Sequence, residues 1–388
     1  MENILVVGAN TRPIASSLKK IGYNVYSVDY FGCQDLKTCV TEFRSSVSQK
    51  PFHSCGFFSQ NFNSDTIFEM ATEFFECVDS ILYTSGVSPL KFPKHKLIGN
   101  RNVNNVENKY KLYKYLSKRF EDVFKLPETY LVNDLQDAHE IVDASDAENF
   151  LLKPIQGSGG VGIQNLDMID PNAEIQGAIL QEIVKGHDVS ASVLSTGDEA
   201  TTILTTQQLI GNKWLGQKEI YGYCGNIAPY TEIINKSQVH PNESFMKVAE
   251  EVVEDLNLKG SNGVDMIIKN GDVYLIEINP RFQGSFEVSE AVLGINMAQA
   301  HIMACEGNMI DIPIPKKFAV KMIVFAKRRS NVGNLNINGL NDIPAPNMII
   351  EEGEPVSTVL TSGNILEDTI YSAKRVVNGV YENLKLVS

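Results

Sequence analysis

The stretch Asp265-Met-Ile-Ile-Lys-Asn-Gly-Asp-Val-Tyr-Leu-Ile-Glu-Ile-Asn-Pro-Arg281 contains two apolar strands joined by an Asn270-Gly271 turn, the strongest short-range signal for a β-hairpin. Glu277 and Asn279 are two residues apart, so their side chains point to the same face of a strand. Carboxylates on a largely buried strand are costly unless a cation or hydrogen-bond donors compensate them. Oxygen ligands followed by the Arg281 guanidinium suit a magnesium ion that holds nucleotide phosphates. The hairpin therefore predicts ATP chemistry.

Whether Asp265 joins Glu277 in one site depends on the register of this hairpin. A two-residue turn pairs Lys269 with Asp272, and in a regular ladder it places Asp265 on the opposite face from Glu277. A shared metal therefore requires either a β-bulge or a loop with an odd number of residues, such as Asn270–Asp272. The alternative for Asp265 alone is a solvated acid on an edge hairpin.

The composition is typical of a globular protein, with 43% hydrophobic and 21% charged residues among 388. This length allows about two or three domains. The net charge of −13 argues against a nucleic-acid partner and against a basic membrane patch. No apolar run approaches the roughly 20 residues that cross a bilayer, and the first residues lack a signal-peptide pattern. Six cysteines without C-x-x-C or zinc-type spacing fit free thiols. We therefore expect a cytoplasmic protein.

Short apolar strands alternate with amphipathic helices over residues 4–84, which predicts a parallel sheet covered by helices. The predicted strands are 4–7, 23–28, 56–59 and 80–84, and the predicted helices are 12–20 and 65–75. Asp29 follows Gly8 by 21 residues, but the intervening loop lacks the G-x-G-x-x-G pattern, which disfavours a nicotinamide cofactor. Arg12, at the start of the first helix, either meets an anionic substrate or is a surface arginine.

A glycine-rich loop follows the predicted strand that ends at Lys153-Pro154. Four glycines lie among the six residues Gly157–Gly162, so successive backbone N–H groups can converge on phosphate oxygens without interference from a Cβ atom. Lys153 adds a positive charge beside them. The loop is not a Walker A motif, because the lysine precedes the glycines. A mobile glycine-rich turn is the alternative, and the preceding strand with its lysine favours a phosphate site.

An apolar strand from Ile179 runs through a short connector into a second strand of alternating Val, Ser and Ala residues. A connector between two lobes can offer backbone N–H and C=O groups to an adenine edge, and Asp188 just beyond it can accept a ribose hydroxyl. Each residue taken alone is also explained by a turn or a surface acid. His187 is interpreted as a turn residue rather than a catalytic base.

These motifs, with Lys109 in a helix predicted over 102–119, resemble the ATP-grasp superfamily in their order and spacing. The similarity is greatest to the branch of biotin carboxylase and the carbamoyl-phosphate synthase large subunit, and to uncharacterised ATP-dependent carboligases. The run from Glu277 to Gln283 matches the E-x-N-x-R-x-Q pattern of that branch, and twelve residues separate Asp265 from Glu277. The resemblance covers about residues 1–310.

The resemblance implies a role for each matching residue. Lys109 and Lys153 would contact the ATP phosphates, and Lys153 and Arg281 would act in catalysis. The loop would cover the phosphates, and the connector would hold adenine and ribose. Two acids and an amide would bind one or two magnesium ions, which manganese can replace. The implied nucleotide-binding residues are Lys109, Lys153, Gly157, Ser158, Gly159, Gly160, Gln181, Glu182, Val184 and Asp188, and the implied metal ligands are Asp265, Glu277 and Asn279.

The implied fold is α/β and α+β, with an N-terminal parallel α/β domain, a two-lobed ATP-grasp module and a small β-rich C-terminal segment. The corresponding ranges are 1–95 for the first domain, 96–184 for the small lobe with its glycine-rich lid, 185–312 for the large lobe with the metal site, and 313–388 for the closing segment.

The implied activity is that of a ligase that activates a carboxylate as an acyl phosphate and transfers it to an amine, with small molecules as partners and a homodimer as the expected assembly. Two alternatives stay open: activation of bicarbonate through carboxyphosphate, and nucleotide binding without turnover. The segment Gln217–Asn226 either shapes the acceptor site or is a surface loop.

Overall fold

The computed structural model describes residues 2–120, 123–145, 147, 149–157, 159–170, 173, 175, 177–231 and 243–387. It begins with a four-stranded parallel sheet in the order β3-β2-β1-β4. The elements of this part are β1 (Asn3–Gly8), α1 (Arg12–Lys20), β2 (Asn24–Asp29), α2 (Gln34–Lys37), β3 (Glu42–Ser45), α3 (Phe58–Asn61), α4 (Ser64–Thr72) and β4 (Ser80–Tyr83). The predicted parallel α/β start is confirmed.

One predicted strand in this part is wrong. Residues 56–59 were expected to extend the sheet, but Phe58–Asn61 forms the short helix α3, and the third strand is β3. Gly56 takes a φ of 69°, a left-handed conformation that breaks an extended chain. Asp29 at the end of β2 accepts hydrogen bonds from the backbone N–H groups of Thr11 and Gly32 at 2.7 and 2.6 Å, so it fixes two loops.

A four-stranded antiparallel sheet follows in the order β5-β8-β6-β7. The predicted helix over 102–119 is divided at Asn108, whose side chain caps the second helix by accepting from the N–H of Lys111 at 2.9 Å. The elements are α5 (Asn104–Glu107), α6 (Lys109–Arg119), β5 (Thr129–Val132), α7 (Leu135–Ala144), β6 (Phe150–Pro154), β7 (Gln164–Asn165) and β8 (Ala178–Glu182).

An eight-stranded antiparallel sheet forms the centre of the molecule, in the order β13-β12-β9-β10-β11-β14-β18-β16. Its first part contains β9 (His187–Thr196), β10 (Ala200–Ile210), β11 (Tyr223–Ala228), α8 (Glu243–Asp255), β12 (Lys259–Lys269), β13 (Asp272–Asn279), α9 (Phe286–Leu293) and α10 (Met297–Cys305). Helix α8 packs on β9 and β10 around a buried apolar cluster that includes Val189, Phe245 and Val264.

The C-terminal segment is β-rich, as the sequence predicts, and three of its strands belong to the central sheet. Its elements are β14 (Phe318–Phe325), β15 (Ser330–Val332), β16 (Leu340–Asn341), β17 (Ile349–Ile350), β18 (Pro355–Gly363), α11 (Leu366–Glu382) and β19 (Leu384–Leu386). Strands β17, β15 and β19 form a separate small sheet. None of the described helices combines the length and the apolar character that crossing a bilayer requires.

Arg12 joins three distant parts of the chain in a buried ion cluster. Its guanidinium lies 2.6 Å from Oε1 of Glu287 and 2.9 Å from Oδ1 of Asp342, and Lys321 Nζ lies 2.9 Å from Oε2 of the same glutamate. Burial raises the pKa of Asp342, but Arg12 outweighs it and holds that pKa at about 2. Neither expectation for Arg12 is therefore met: it is neither a surface residue nor a free ligand for a substrate anion.

Candidate active site

The hairpin of β12 and β13 combines a two-residue turn with a β-bulge. Lys269 pairs with Asp272 around Asn270 and Gly271, which both take positive φ angles, and Asp265 pairs with Glu277. The register shifts between Asp265 and its neighbour, which leaves one extra residue in β13. The bulge was one of the two arrangements that the sequence allowed. It turns both carboxylates to one face of the sheet.

Asp265 is held by three side chains. Its Oδ1 accepts from Ser190 Oγ at 2.6 Å and from Gln208 Nε2 at 3.0 Å, and its Oδ2 accepts from Asn279 Nδ2 at 3.0 Å. Burial, with the nearby charge of Glu277, raises the pKa of Asp265 to about 7. Two neighbouring carboxylates on one face of a sheet are a donor set that a divalent cation stabilises, and carboxylate oxygens are hard ligands. The residues therefore fit magnesium.

Asn279 and Arg281 continue the same edge of the sheet. Arg281 Nη1 donates to Oδ1 of Asn279 at 2.7 Å, and its Nε lies 3.9 Å from Oε1 of Glu107. The amide of Asn279 thus bridges the guanidinium to the carboxylate of Asp265. These hydrogen bonds orient the Arg281 side chain, so the positive charge of its guanidinium lies near Asp265 and Glu277.

Two lysines from the small lobe approach the acidic pair. Lys109 Nζ lies 3.1 Å from Oε2 of Glu277, so the lysine at the start of α6 crosses to the hairpin. Lys153 is 4% exposed, and its Nζ donates to Oε1 of Gln181 at 2.5 Å. Burial lowers the pKa of Lys153, the charge of Glu277 partly offsets this effect, the nearby Lys109 adds to it, and the resulting pKa is about 8.

The glycine-rich loop contacts both lobes. The carbonyl of Gly157 accepts from Lys109 Nζ at 2.9 Å, and the carbonyl of Gly159 accepts from the N–H of Tyr223 at 3.1 Å. Gly160 has a φ of 78°, and a Cβ atom there would lie 1.9 Å from the carbonyl oxygen of Tyr221. The loop therefore sits close against the segment before β11. Ser158 lies outside the described residues.

The connector residues lie along the side of the same cleft. Gln181 donates from Nε2 to Thr129 Oγ1 at 2.8 Å, so both ends of its amide are already engaged, although its oxygen has a second lone pair. The carboxylate of Glu182 accepts from the N–H of Glu128 at 3.2 Å. Val184 is buried, and burial raises the pKa of Asp188.

A single cleft of about 740 Å³ brings most of the predicted residues together. Lys109 adjoins the cleft because it contacts Glu277, and Gly157 adjoins it because its carbonyl accepts from Lys109. The predicted residues that line it are Lys153, Gly159, Gly160, Gln181, Glu182, Val184, Asp188, Asp265, Glu277, Asn279 and Arg281.

Sequence reasoning missed three polar residues of this cleft. Ser190 and Gln208 orient Asp265, and Lys321 donates to the carbonyl of Gly284 at 3.1 Å while pairing with Glu287. Ser190 lies two residues after Asp188 in a strand, so the alternation of β9 gave a signal for it. Gln208 and Lys321 reach the site only because β10 and β14 belong to the same sheet.

Buried lysines, a glycine loop and an acidic hairpin around one cleft fit a nucleotide-dependent phosphoryl-transfer site, and the comparisons with known proteins give the family. The ATP-grasp domain family model matches residues 106–285. The uncharacterised protein MJ0776 of Methanocaldococcus jannaschii is 32% identical, over 97% of this chain and 91% of that protein. The chain therefore contains an ATP-grasp domain and belongs to one family with MJ0776, which confirms the resemblance to the ATP-grasp superfamily.

Solved structures show the same fold along the chain. The biotin carboxylase domain of the 2-oxoglutarate carboxylase from Hydrogenobacter thermophilus aligns with a TM-score of 0.72 at 14% identity, over 100% of this chain and 90% of that one. The L-amino acid ligase from Bacillus licheniformis aligns with a TM-score of 0.66 at 14% identity, over 100% and 98%. The fold is therefore shared with a biotin carboxylase domain and with an L-amino acid ligase.

Proposed function

We propose that the protein is an ATP- and magnesium-dependent ligase that activates a carboxylate as an acyl phosphate and joins it to an amine. The observation that carries this proposal is the bulged hairpin, which sets Asp265 across from Glu277 at the edge of a cleft lined by Lys153 and Arg281. The similarity in fold to an L-amino acid ligase adds support.

In this proposal Asp265, Glu277 and Asn279 hold magnesium, which when bound neutralises charge on the ATP phosphates. Lys153 and Lys109 contact phosphate oxygens from the small lobe. Lys109 then exchanges its ion pair with Glu277 for one with the nucleotide.

Arg281 has a separate role, because it faces the phosphoryl group in transit and the acyl phosphate that forms from it. A carboxylate oxygen of the substrate attacks the γ-phosphorus while the bond to ADP breaks. The amine nitrogen then attacks the acyl carbon, phosphate leaves, and the nitrogen loses a proton to the released phosphate or to water.

The glycine-rich loop protects the intermediate from water. Gly159 and Gly160 already contact the segment at Tyr221–Tyr223 on the opposite wall, so the loop closes over the place where the phosphates would lie. Excluding water both strengthens the electrostatic contacts and prevents hydrolysis of the acyl phosphate.

The fold similarity to a biotin carboxylase domain whose structure contains bicarbonate supports a second candidate. In that reaction bicarbonate replaces the substrate carboxylate and carboxyphosphate replaces the acyl phosphate. The residues of the cleft would serve either reaction, because both require the same transfer of the γ-phosphoryl group to a carboxylate oxygen.

One assay separates these possibilities. Full-length protein with Mg·ATP is incubated with pools of carboxylates and amines, with and without bicarbonate, and ADP release is measured. Release that requires both a carboxylate and an amine supports the leading proposal. Release that requires bicarbonate instead of another carboxylate supports the second. Nucleotide binding without ADP release in every combination contradicts both and leaves a binding protein.

We also propose the finer organisation that the sequence suggested. The domain boundaries would lie near residues 95, 184 and 312, and manganese would be able to substitute for magnesium. The enzyme would act in the cytoplasm as a homodimer. The dimeric state of the Hydrogenobacter domain supports the last point. Sedimentation of the purified protein tests it directly.

A further inference from the structure

A second cavity of about 540 Å³ adjoins the nucleotide cleft on the side of the N-terminal sheet and the C-terminal segment. The two cavities have several lining residues in common, so a molecule in the second one would reach the edge of the first. The shared residues are Asn10, Ser85, Gly159, Tyr223 and Ile323. Because Gly159 belongs to the loop proposed to cover the phosphates, the boundary between the two cavities lies beside the place where phosphoryl transfer is proposed.

The wall of this second cavity is aromatic. Tyr30 contacts Phe31 and Phe58 edge-on, with ring centroids 5.0 and 4.9 Å apart. Phe31 and Phe58 stack with their planes 13° apart. Phe57, at the start of α3, is 38% exposed and adds a further ring at the cavity. Aromatic faces favour a flat apolar body and also a cation.

The charge of the cavity is negative. Glu219, Asp342, Glu352 and Glu354 line it, and among the described lining residues Lys218 is the one cation. Arg12 already pairs with Asp342, so Glu219 and Glu354 contribute most of the negative charge. Lys218 lies 3.1 Å from Oε1 of Glu352, so its charge is already matched. Glu354 accepts from the N–H of Phe58 at 3.0 Å, at the base of the aromatic wall. A carboxylate or phosphate ligand would be repelled here, whereas an ammonium group would be attracted.

One buried hydroxyl of the cavity lacks a partner. Ser357 in β18 is 2% exposed and lines the cavity, and its Oγ makes no hydrogen bond among the described residues. A buried hydroxyl without a partner is costly, so the arrangement is favourable only when a ligand or water supplies the bond.

The cations of the site lie in the other cavity. Lys153, Arg281 and Lys321 line the nucleotide cleft, where a substrate carboxylate would be attracted. We propose that the second cavity is the acceptor pocket. It would take a primary alkylamine whose chain bears an aromatic ring. This inference rests on the ligase function proposed above. The bound ammonium first gives one proton to a lining carboxylate or to water. The neutral amine nitrogen then forms the new bond to the acyl carbon as the bond to phosphate oxygen breaks, and it gives a second proton to the released phosphate.

Equilibrium binding tests the pocket without requiring turnover. Full-length protein saturated with Mg·AMP-PNP is titrated by calorimetry with 2-phenylethylamine, with ring-free propylamine and with 3-phenylpropionate. We expect the first to bind at least about tenfold more tightly than either of the others, because only it matches both the rings and the charge. Equal affinity for the three probes, or tighter binding of the carboxylate, would overturn the inference.

Two variants with matched controls locate the binding. Phe57→Ala should weaken 2-phenylethylamine binding about fivefold or more, and Phe52→Ala, at a ring that is 70% exposed and outside the cavity, should not. Glu354→Gln should weaken it similarly because the hydrogen-bond acceptor stays while the charge is lost, and the exposed Glu367→Gln is its control. Equal effects in a variant and its control would place the amine elsewhere.

The two proposals fail in different ways. Normal AMP-PNP affinity with no preference for the aromatic amine contradicts the acceptor pocket and leaves the ligase function standing. Preferred binding of 2-phenylethylamine to a protein that releases no ADP with any substrate pair contradicts the ligase function and leaves the pocket standing. Affinity for AMP-PNP is measured for every variant, so a misfolded protein is recognised.

Discussion

The acidic pair is the residue-level feature on which the proposed chemistry depends most directly. Glu277→Gln keeps the size of the side chain but removes one ligand charge, so the phosphates would lose most of their metal-mediated neutralisation. We expect ATP turnover to fall at least about 100-fold while the fold survives. ADP release and circular dichroism measure the two effects. Asp272→Asn, at the exposed end of the same hairpin, is the control and should turn over normally.

Single residues also show how far sequence reasoning reaches. Glu277 and Asn279 were identifiable because they lie at alternate positions of one predicted strand, and Arg281 because it follows the end of that strand. Gln208 was not identifiable, because it meets Asp265 only through the pairing of β10 with β9 and of β9 with β12. Contacts that depend on the order of strands in a sheet carry no local pattern in the sequence.

At the scale of elements, the bulge in β13 explains how an apolar strand presents an acid. Val273 and Leu275 face the buried cluster, and continued alternation would send Glu277 to the same side. The extra residue reverses the alternation, so that Ile278 returns to the core and Glu277 faces the cleft. From the sequence, either a β-bulge or a three-residue loop could place Asp265 and Glu277 on one face. The structure was needed to decide between these two arrangements.

The glycine-rich loop gives a prediction at the same scale. Gly159 and Gly160 both take positive φ angles, but only at Gly160 would a Cβ atom meet another backbone, at the carbonyl of Tyr221. Gly159→Ala therefore costs about 1 kcal/mol of backbone strain in the closed loop. Gly160→Ala adds a steric clash and should prevent closure.

Steady-state kinetics with ATP distinguishes the two variants. We expect kcat/KM for ATP to fall at least about tenfold more in Gly160→Ala than in Gly159→Ala. A larger share of ADP release without product should also appear in Gly160→Ala, because an open loop admits water to the acyl phosphate. Indistinguishable kinetics would show that closure does not use the contact with the Tyr221 segment.

At the scale of the whole molecule, the Arg12 cluster joins the N-terminal sheet to α9 and to the C-terminal segment. Arg12→Met would leave Glu287 and Asp342 buried with Lys321 as their remaining nearby cation. We expect the free energy of unfolding to fall by about 3 to 5 kcal/mol. Arg44→Met, which removes an exposed arginine from its pairs with Glu42 and Glu73, should cost about 1 kcal/mol or less. Denaturant unfolding compares the two, and equal losses would contradict the structural role of the cluster.

His301 connects α10 to two other parts of the molecule. Its Nδ1 accepts from the N–H of Ser261 at 2.8 Å, and its Nε2 lies 3.3 Å from the carbonyl of Ile98. The acceptor role of Nδ1 requires a neutral ring. Burial lowers the pKa of His301 from 6.5 to about 4, so between these pH values the unfolded chain binds more protons than the native one.

The stability that His301 contributes is therefore complete above about pH 6.5 and decreases as the pH falls toward 4, by up to about 3 kcal/mol. Burial raises the pKa of Asp29 to about 6, so the contribution of Asp29 to stability increases as the pH falls. The pH dependence of wild-type stability alone therefore does not isolate the contribution of His301. His301→Asn keeps an acceptor for Ser261 and cannot titrate in this range. The stability difference between wild type and this variant should shrink from pH 7 to pH 4.5 in denaturant unfolding. A difference that stays constant over this range would show that His301 has the same pKa in the native protein as in the unfolded chain, which contradicts the lowered pKa.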